Sequence, residues 1–131
     1  MSEDKIRMEV VTPEGAVFDG YVSAITAPST LGSLGILYNH APLMTSLDVG
    51  VLEYTKEGKR NKMAVFGGFL EVNENHITVL ADVAELSDSI DKARAERALE
   101  RARKRLAERD ATIDVVRAET AMKRALTRLS I

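Results

Sequence analysis

From Lys5 to Thr12 the apolar residues Ile6, Met8 and Val10 alternate with Arg7, Glu9 and Val11. That is the period of a β-strand with one buried face. Pro13-Glu14-Gly15 closes the strand with turn chemistry, since proline presets φ and glycine accepts φ > 0. Further strand-like runs are predicted at Tyr21–Ala27, Val49–Thr55, Lys62–Phe66 and His76–Val83, the last with Ile77, Val79, Ala81 and Val83 on one face. Lys56-Glu57-Gly58-Lys59 and Asn73-Glu74-Asn75 supply turns between them. Short strands at this rhythm predict a small antiparallel sandwich or barrel over residues 1–86.

Two stretches break the alternation. Ser29 to Leu37 carries two glycines among apolar residues, and Asn39-His40-Ala41-Pro42-Leu43 follows it. By residue type this is a long, tight connection whose leucines plug the end of the sandwich. A phosphate cradle is the alternative, but no Gly-Lys-Ser/Thr follows and the loop opens no helix. Phe66-Gly67-Gly68-Phe69 reads as a bulge or a close backbone approach inside a strand pair.

After Glu85 the period changes, and Ala, Arg, Glu, Lys and Leu, all strong helix formers, take over. Ala95, Leu99, Ala102 and Leu106 mark the apolar face of one helix; Ala118, Ala121 with Met122, Ala125 and Leu129 mark that of a second. With Glu108 to Thr112 as the link, residues 87–131 read as an antiparallel helical hairpin. Its seam is narrow and rich in alanine, so it buries little area and is expected to be detachable.

Composition and charge narrow the function. The 131 residues are 45% hydrophobic and 29% charged, and no apolar run approaches the roughly 20 residues of a membrane span. The amino end lacks the apolar core of a signal peptide and there is no cysteine, so the cytosol is the expected compartment. Residues 1–86 hold 6 Lys/Arg against 12 Asp/Glu, and residues 87–131 hold 12 against 8. The basic half alternates its charges in sign and has no aromatic residue for bases to stack on, which argues against nucleic acid as a partner. His40 and His76 are the only histidines and neither has metal-ligand spacing, so no metal site is expected. Without a Gly-x-Ser-x-Gly or a cysteine nucleophile, the chain alone is not expected to be an enzyme.

One pattern occurs twice. Ile-Asp-x-x-Arg-Ala spans Ile90 to Ala95 and again Ile113 to Ala118. In each copy a hydroxyl residue, Ser89 or Thr112, can cap a helix, and Asp91 or Asp114 stands near the positive end of its macrodipole. Arg94 or Arg117 can pair with that Asp. Helix-start physics alone accounts for both copies.

Val11-Thr12-Pro13-Glu14-Gly15, Gly32-Ser33-Leu34-Gly35-Ile36-Leu37-Tyr38-Asn39-His40-Ala41-Pro42-Leu43, Gly67-Gly68-Phe69-Leu70-Glu71-Val72 and the Ala/Arg-rich hairpin together resemble the epsilon-subunit family of bacterial F-type ATP synthases. The resemblance covers essentially the whole chain. It implies a β-sandwich of about ten strands followed by a two-helix antiparallel hairpin, in a non-catalytic rotor subunit on the cytoplasmic side of the cell membrane, held there peripherally. The implied partners are the gamma subunit and the c-ring, which couple rotation to proton flow, and the catalytic alpha/beta head, reached by an extended hairpin that inhibits ATP hydrolysis.

Bacillus-type members of that family bind ATP through the Ile-Asp-x-x-Arg-Ala motif of the first helix, which here matches Ile90, Asp91, Arg94 and Ala95. The family's upstream acid corresponds to Glu85, and its two arginines near the end of the second helix to Arg124 and Arg128. The resemblance thus implies ATP as a regulatory ligand that is sensed and not hydrolysed. Arg101, Arg103, Lys104 and Arg105 are the basic residues expected to make the inhibitory contact. A free-standing nucleotide-sensing module is the alternative reading.

Overall fold

The computed structural model describes residues 5–108 and 114–131. Eight strands come first: β1 (Ile6–Thr12), β2 (Gly15–Val22), β3 (Ala24–Ser29), β4 (Gly32–Leu37), β5 (Leu43–Lys56), β6 (Lys59–Asn73), β7 (His76–Ala81) and β8 (Ala84–Leu86). A single 3-10 turn at Ser87–Ser89 leads to α1 (Lys92–Glu108), and α2 (Val115–Leu129) follows. The strands run in the order β2-β1-β7-β6-β5-β3-β4, with β8 added to β6. All pairs are antiparallel except β1 with β7, which are parallel from Arg7↔His76 to Val11↔Leu80.

The alternation holds except at Val83, which lies past the end of β7 and is exposed. Ile6, Met8 and Val10 are buried, as are Ile77, Val79 and Ala81, and they share one core with Ile25, Ile36, Leu52, Met63, Leu70 and Val72. The long strands β5 and β6 close the sandwich. β6 pairs with β8 through Met63, Ala64 and Val65, then with β7 from Gly68 onward, so one strand serves two neighbours in succession, as strands that turn sandwich corners do. Eight strands therefore stand where about ten were expected, β5 and β6 running unbroken for 14 and 15 residues.

The change of partner falls at Gly67 and Gly68, with φ of 79° and 122°. A Cβ on Gly68 would lie 2.1 Å from the Leu80 carbonyl oxygen, so only glycine fits this close crossing of two backbones. Of the two readings of Phe66–Phe69, the close backbone approach is the one realised, at the corner where β6 changes partner.

Three local expectations are corrected. Ser29 to Leu37 is not a plugging connection: Gly32–Leu37 is strand β4, paired antiparallel with β3 from Ala24↔Leu37 to Ser29↔Gly32. Only Ile36 is fully buried there, while Leu31 at 93% and Leu37 at 64% exposure face solvent. Ser29 makes the turn, its hydroxyl accepting from the Leu31 N–H at 3.2 Å and donating to the Gly32 carbonyl at 2.6 Å. Second, Tyr21–Ala27 is not one strand; it breaks at Ser23, whose N–H donates to the Thr55 carbonyl at 2.9 Å. Third, Ser89 does not cap α1. Asp91 does, accepting from the Arg94 N–H at 3.0 Å, and Asp114 repeats the bond to the Arg117 N–H of α2. The other proposed cap, Thr112, and the link from Arg109 onward lie outside the described residues.

In the hairpin the buried positions are Ala95, Leu99 and Ala102 of α1 and Ala118, Ala125 and Thr127 of α2. Leu106, Met122 and Leu129 are half-buried and Ala121 is exposed. The alanine seam is present, and narrower than the sequence pattern suggests. It is α2 that packs against β5 and β6.

Candidate functional site

Where β8, α1 and α2 converge, a cleft of about 450 Å³ is lined by Glu85, Ser89, Asp91, Arg94, Ala95, Ala98, Arg101 and Arg128. Each wall has a local cause. Glu85 is fixed by the β6 ladder, in which Ala64 pairs with Glu85 and Val65 with Ala84. Asp91, Arg94, Ala98 and Arg101 recur at helical spacing, so the start of α1 presents them along one stripe. Arg128 arrives from the last turn of α2 because the helices run antiparallel, and Lys92 Nζ donates to the Ile131 carbonyl where the two ends meet.

Arg128 and Glu85 form the best-defined contact of the cleft. Arg128 Nε donates to Glu85 Oε2 at 2.9 Å, and a guanidinium amino group donates to Oε1 at 3.0 Å. The two side chains are 29% and 25% exposed, so the pair is less screened than a surface one. The guanidinium also stacks 4.6 Å from the Phe66 ring centroid, a cation–π contact that fixes its plane. Two carboxylates and three guanidinium groups leave the cleft one positive charge in excess. Planar arginines match phosphate oxygens in pairs, and a carboxylate such as Asp91 accepts from a hydroxyl or amino group.

The residues expected from sequence divide. Glu85, Asp91, Arg94, Ala95 and Arg128 meet in the cleft. Ile90 is half-buried in extended backbone beside it, its N–H donating to the Ser87 carbonyl. Arg124, one turn before Arg128, is exposed and is not among the lining residues. Arg101, assigned to the basic face, lines the cleft as well; Arg103, Lys104 and Arg105 are exposed, with Arg103 reaching Glu100 at 3.7 Å. Ser89, Ala98 and the Phe66 platform were not foreseen as cleft residues. Extending the spacing from Asp91 through Arg94 to residues 98 and 101 finds Ala98, and Arg101 with it, whereas Phe66 reaches the site only through the sheet. Among the described residues, 114–118 of the second copy contribute no lining residue to this cleft.

Comparison with known proteins gives a consistent result. Residues 5–87 match the family described as ATP synthase, Delta/Epsilon chain, beta-sandwich domain, and residues 88–131 match ATP synthase, Delta/Epsilon chain, long alpha-helix domain. The chain is similar to the ATP synthase epsilon chain of Carboxydothermus hydrogenoformans, 59% identical over 81% of this chain and 79% of that one. The ATP synthase epsilon chain of Pelotomaculum thermopropionicum is 54% identical over 83% and 81%. Among solved structures, a chain of the Euglena gracilis mitochondrial ATP synthase OSCP/F1/c-ring assembly superposes with a TM-score of 0.83 at 25% identity, covering 97% of this chain and 81% of that one.

Proposed function

We propose a regulatory place in the rotor for this chain, on one premise: it belongs to the ATP synthase delta/epsilon chain family. It is a non-catalytic subunit of the ATP synthase complex, matching a central-stalk subunit in fold. In the proposed arrangement the sandwich docks on the gamma subunit and the c-ring on the cytoplasmic face of the membrane. Among the described residues no helix is long and apolar enough to cross a bilayer, in keeping with peripheral attachment through these partners.

The hairpin is the regulatory part, and the observation that carries this reading is the cleft. Its walls come from three elements, so it exists only while the hairpin is folded against the sandwich. ATP is the proposed ligand, with Arg94, Arg101 and Arg128 towards the triphosphate and Asp91 towards ribose or base. Glu85 holds Arg128 in place through Nε and one amino group, so that the other amino group can meet a phosphate oxygen. Binding stabilises the folded hairpin by RT ln(1 + [L]/Kd), about 2.7 kcal/mol at a hundredfold excess over Kd. When ATP falls, the hairpin releases, extends, and brings Arg103, Lys104 and Arg105 to acidic surfaces of the catalytic head, which stalls hydrolysis.

Calorimetric titration of the purified chain with ATP tests the sensor. Arg128→Ala and Glu85→Ala are expected to weaken binding with the sandwich intact; heats indistinguishable from dilution for the unsubstituted chain reject ATP as the ligand. The brake is tested in the reconstituted enzyme by Arg103→Ala, Lys104→Ala and Arg105→Ala together, leaving Arg101 in its cleft, and by ending the chain after Asp88. Both are expected to raise hydrolysis at low ATP, and equal rates for all three enzymes reject an inhibitory hairpin.

A further inference from the structure

Among the described residues, one charged contact outside the cleft joins the hairpin to the sandwich. Lys123 Nζ of α2 donates to Asp48 Oδ1 of β5 at 2.9 Å, and the same carboxylate oxygen accepts from the Val49 N–H at 2.8 Å. The local bond fixes the carboxylate before Lys123 arrives, so less side-chain entropy is lost in forming the pair. Lys123 and Thr127 lie four residues apart on one helix face. Thr127 is only 8% exposed, its hydroxyl returned to the Lys123 carbonyl at 2.8 Å. The helix α2 is therefore held at Asp48 through Lys123 as well as at Glu85 through Arg128, five residues further along. Neither Asp48 nor Lys123 lines the cleft.

We infer that Asp48 and Lys123 form a latch that sets how firmly the hairpin is docked, and through it the apparent affinity of the cleft, without touching the bound ligand. They are positioning residues. A cleft completed only in the docked state has an apparent Kd equal to the intrinsic value divided by the docked fraction, so any contact that holds α2 down contributes to affinity at a distance. The inference about affinity rests on the nucleotide-sensing reading above; the latch itself does not.

The experiment separates the two. The chain has no cysteine, so Thr127→Cys introduces a single thiol on the docked face of α2. Its labelling rate without nucleotide, relative to the free thiol, measures how often that face opens. Asp48→Asn and Lys123→Met are each expected to speed labelling about two- to fivefold, the range of a partly exposed ion pair, and the double variant no more than either alone. The exchanged pair Asp48→Lys with Lys123→Asp is expected to recover part of the lost protection. Salt is expected to speed labelling of the starting chain more than that of the neutral variants. Single variants that label at the starting rate, or a double variant whose effect is the product of the singles, overturn the latch. Calorimetry with ATP on the same variants then tests the affinity claim: an apparent Kd that does not weaken as opening rises, measured on variants where opening is frequent, overturns it. A chain that binds no ATP leaves the labelling result standing and removes only the nucleotide reading.

Discussion

The sandwich and the hairpin are built by different economies of burial. In the sandwich, Met8, Val10, Ile36, Leu52, Met63, Leu70, Ile77 and Val79 are wholly inaccessible to solvent, large side chains that each gain about 1.5–3 kcal/mol by leaving water. The hairpin buries mainly alanines around one leucine, Leu99, and its named ties to the sandwich are polar: Glu85 with Arg128 and Asp48 with Lys123. Large apolar side chains make one layer indifferent to solution conditions. Small side chains and ion pairs make the other responsive to them, which suits the release proposed for the hairpin.

The largest expected effect that breaks this contrast is Gly68→Ala. The added methyl would strike the Leu80 carbonyl, and φ of 122° is strained for any side chain. The variant is expected to lose its cooperative thermal transition; a Tm within a few degrees of the starting chain would show that the crossing of layers is not rigid. Next, Leu52→Ala is expected to destabilise the sandwich by about 2–5 kcal/mol in urea unfolding. Leu99→Ala, in the hairpin, is expected to leave the sandwich transition in place and lower only hairpin helicity. If both substitutions shift the same transition equally, the two regions unfold as one.

Smaller effects sharpen the difference between the two copies of the repeat. Asp114→Ala removes the α2 cap and is expected to cost about 0.5–2 kcal/mol of hairpin stability while leaving ATP affinity within twofold. Asp91→Ala removes an equivalent cap and a cleft carboxylate together, so it is expected to lower both. Asp91→Ser, which keeps a capping oxygen, separates the two roles: recovered helicity by circular dichroism with affinity still low assigns Asp91 to the ligand.

The smallest expected effect is on pH. The hydrogen bond from Lys123, helped by the Val49 N–H, holds the Asp48 carboxyl below its ordinary 3.8. A depressed carboxylate contributes stability that is fully present above the pKa of the undocked state and is lost as pH falls through that of the docked state. Docking is therefore expected to loosen below about pH 4 and not to vary with the titration of Asp48 near neutral pH, where the pair contributes in full. Energy transfer between labels on the β5–β6 turn and on α2 would report this. The difference between the starting chain and Asp48→Asn is expected to vanish at low pH; a constant difference would show that the pair does not titrate with docking.

Much of this molecule is legible in one dimension. The period-2 alternation of Ile6, Met8 and Val10 and of Ile77, Val79 and Ala81 dictates strands and their buried face, because a strand's side chains point alternately to either side whatever its neighbours are. The change to helix formers after Glu85, with Ala95, Leu99 and Ala102 in register, dictates the hairpin for the same local reason. The cleft was half legible: Asp91, Arg94 and Ala95 belong to one short helical stripe, and Glu85 and Arg128 came only with the family resemblance. Strand β4 was hidden because its glycines resemble a loop. The hydroxyl turn at Ser29 and Gly32 matches that at Thr12 and Gly15, where the Thr12 hydroxyl likewise accepts from the Glu14 N–H and donates to the Gly15 carbonyl, and was the available clue. Tertiary structure alone decided the rest. The parallel pairing of β1 with β7, Phe66 beneath Arg128, Arg101 in the cleft where Arg124 is not, and Lys123 on Asp48 all join residues that are remote in sequence or differ by one turn of helix. Such meetings depend on how layers cross and how a helix is rotated on a sheet, quantities set by the packing of the whole core.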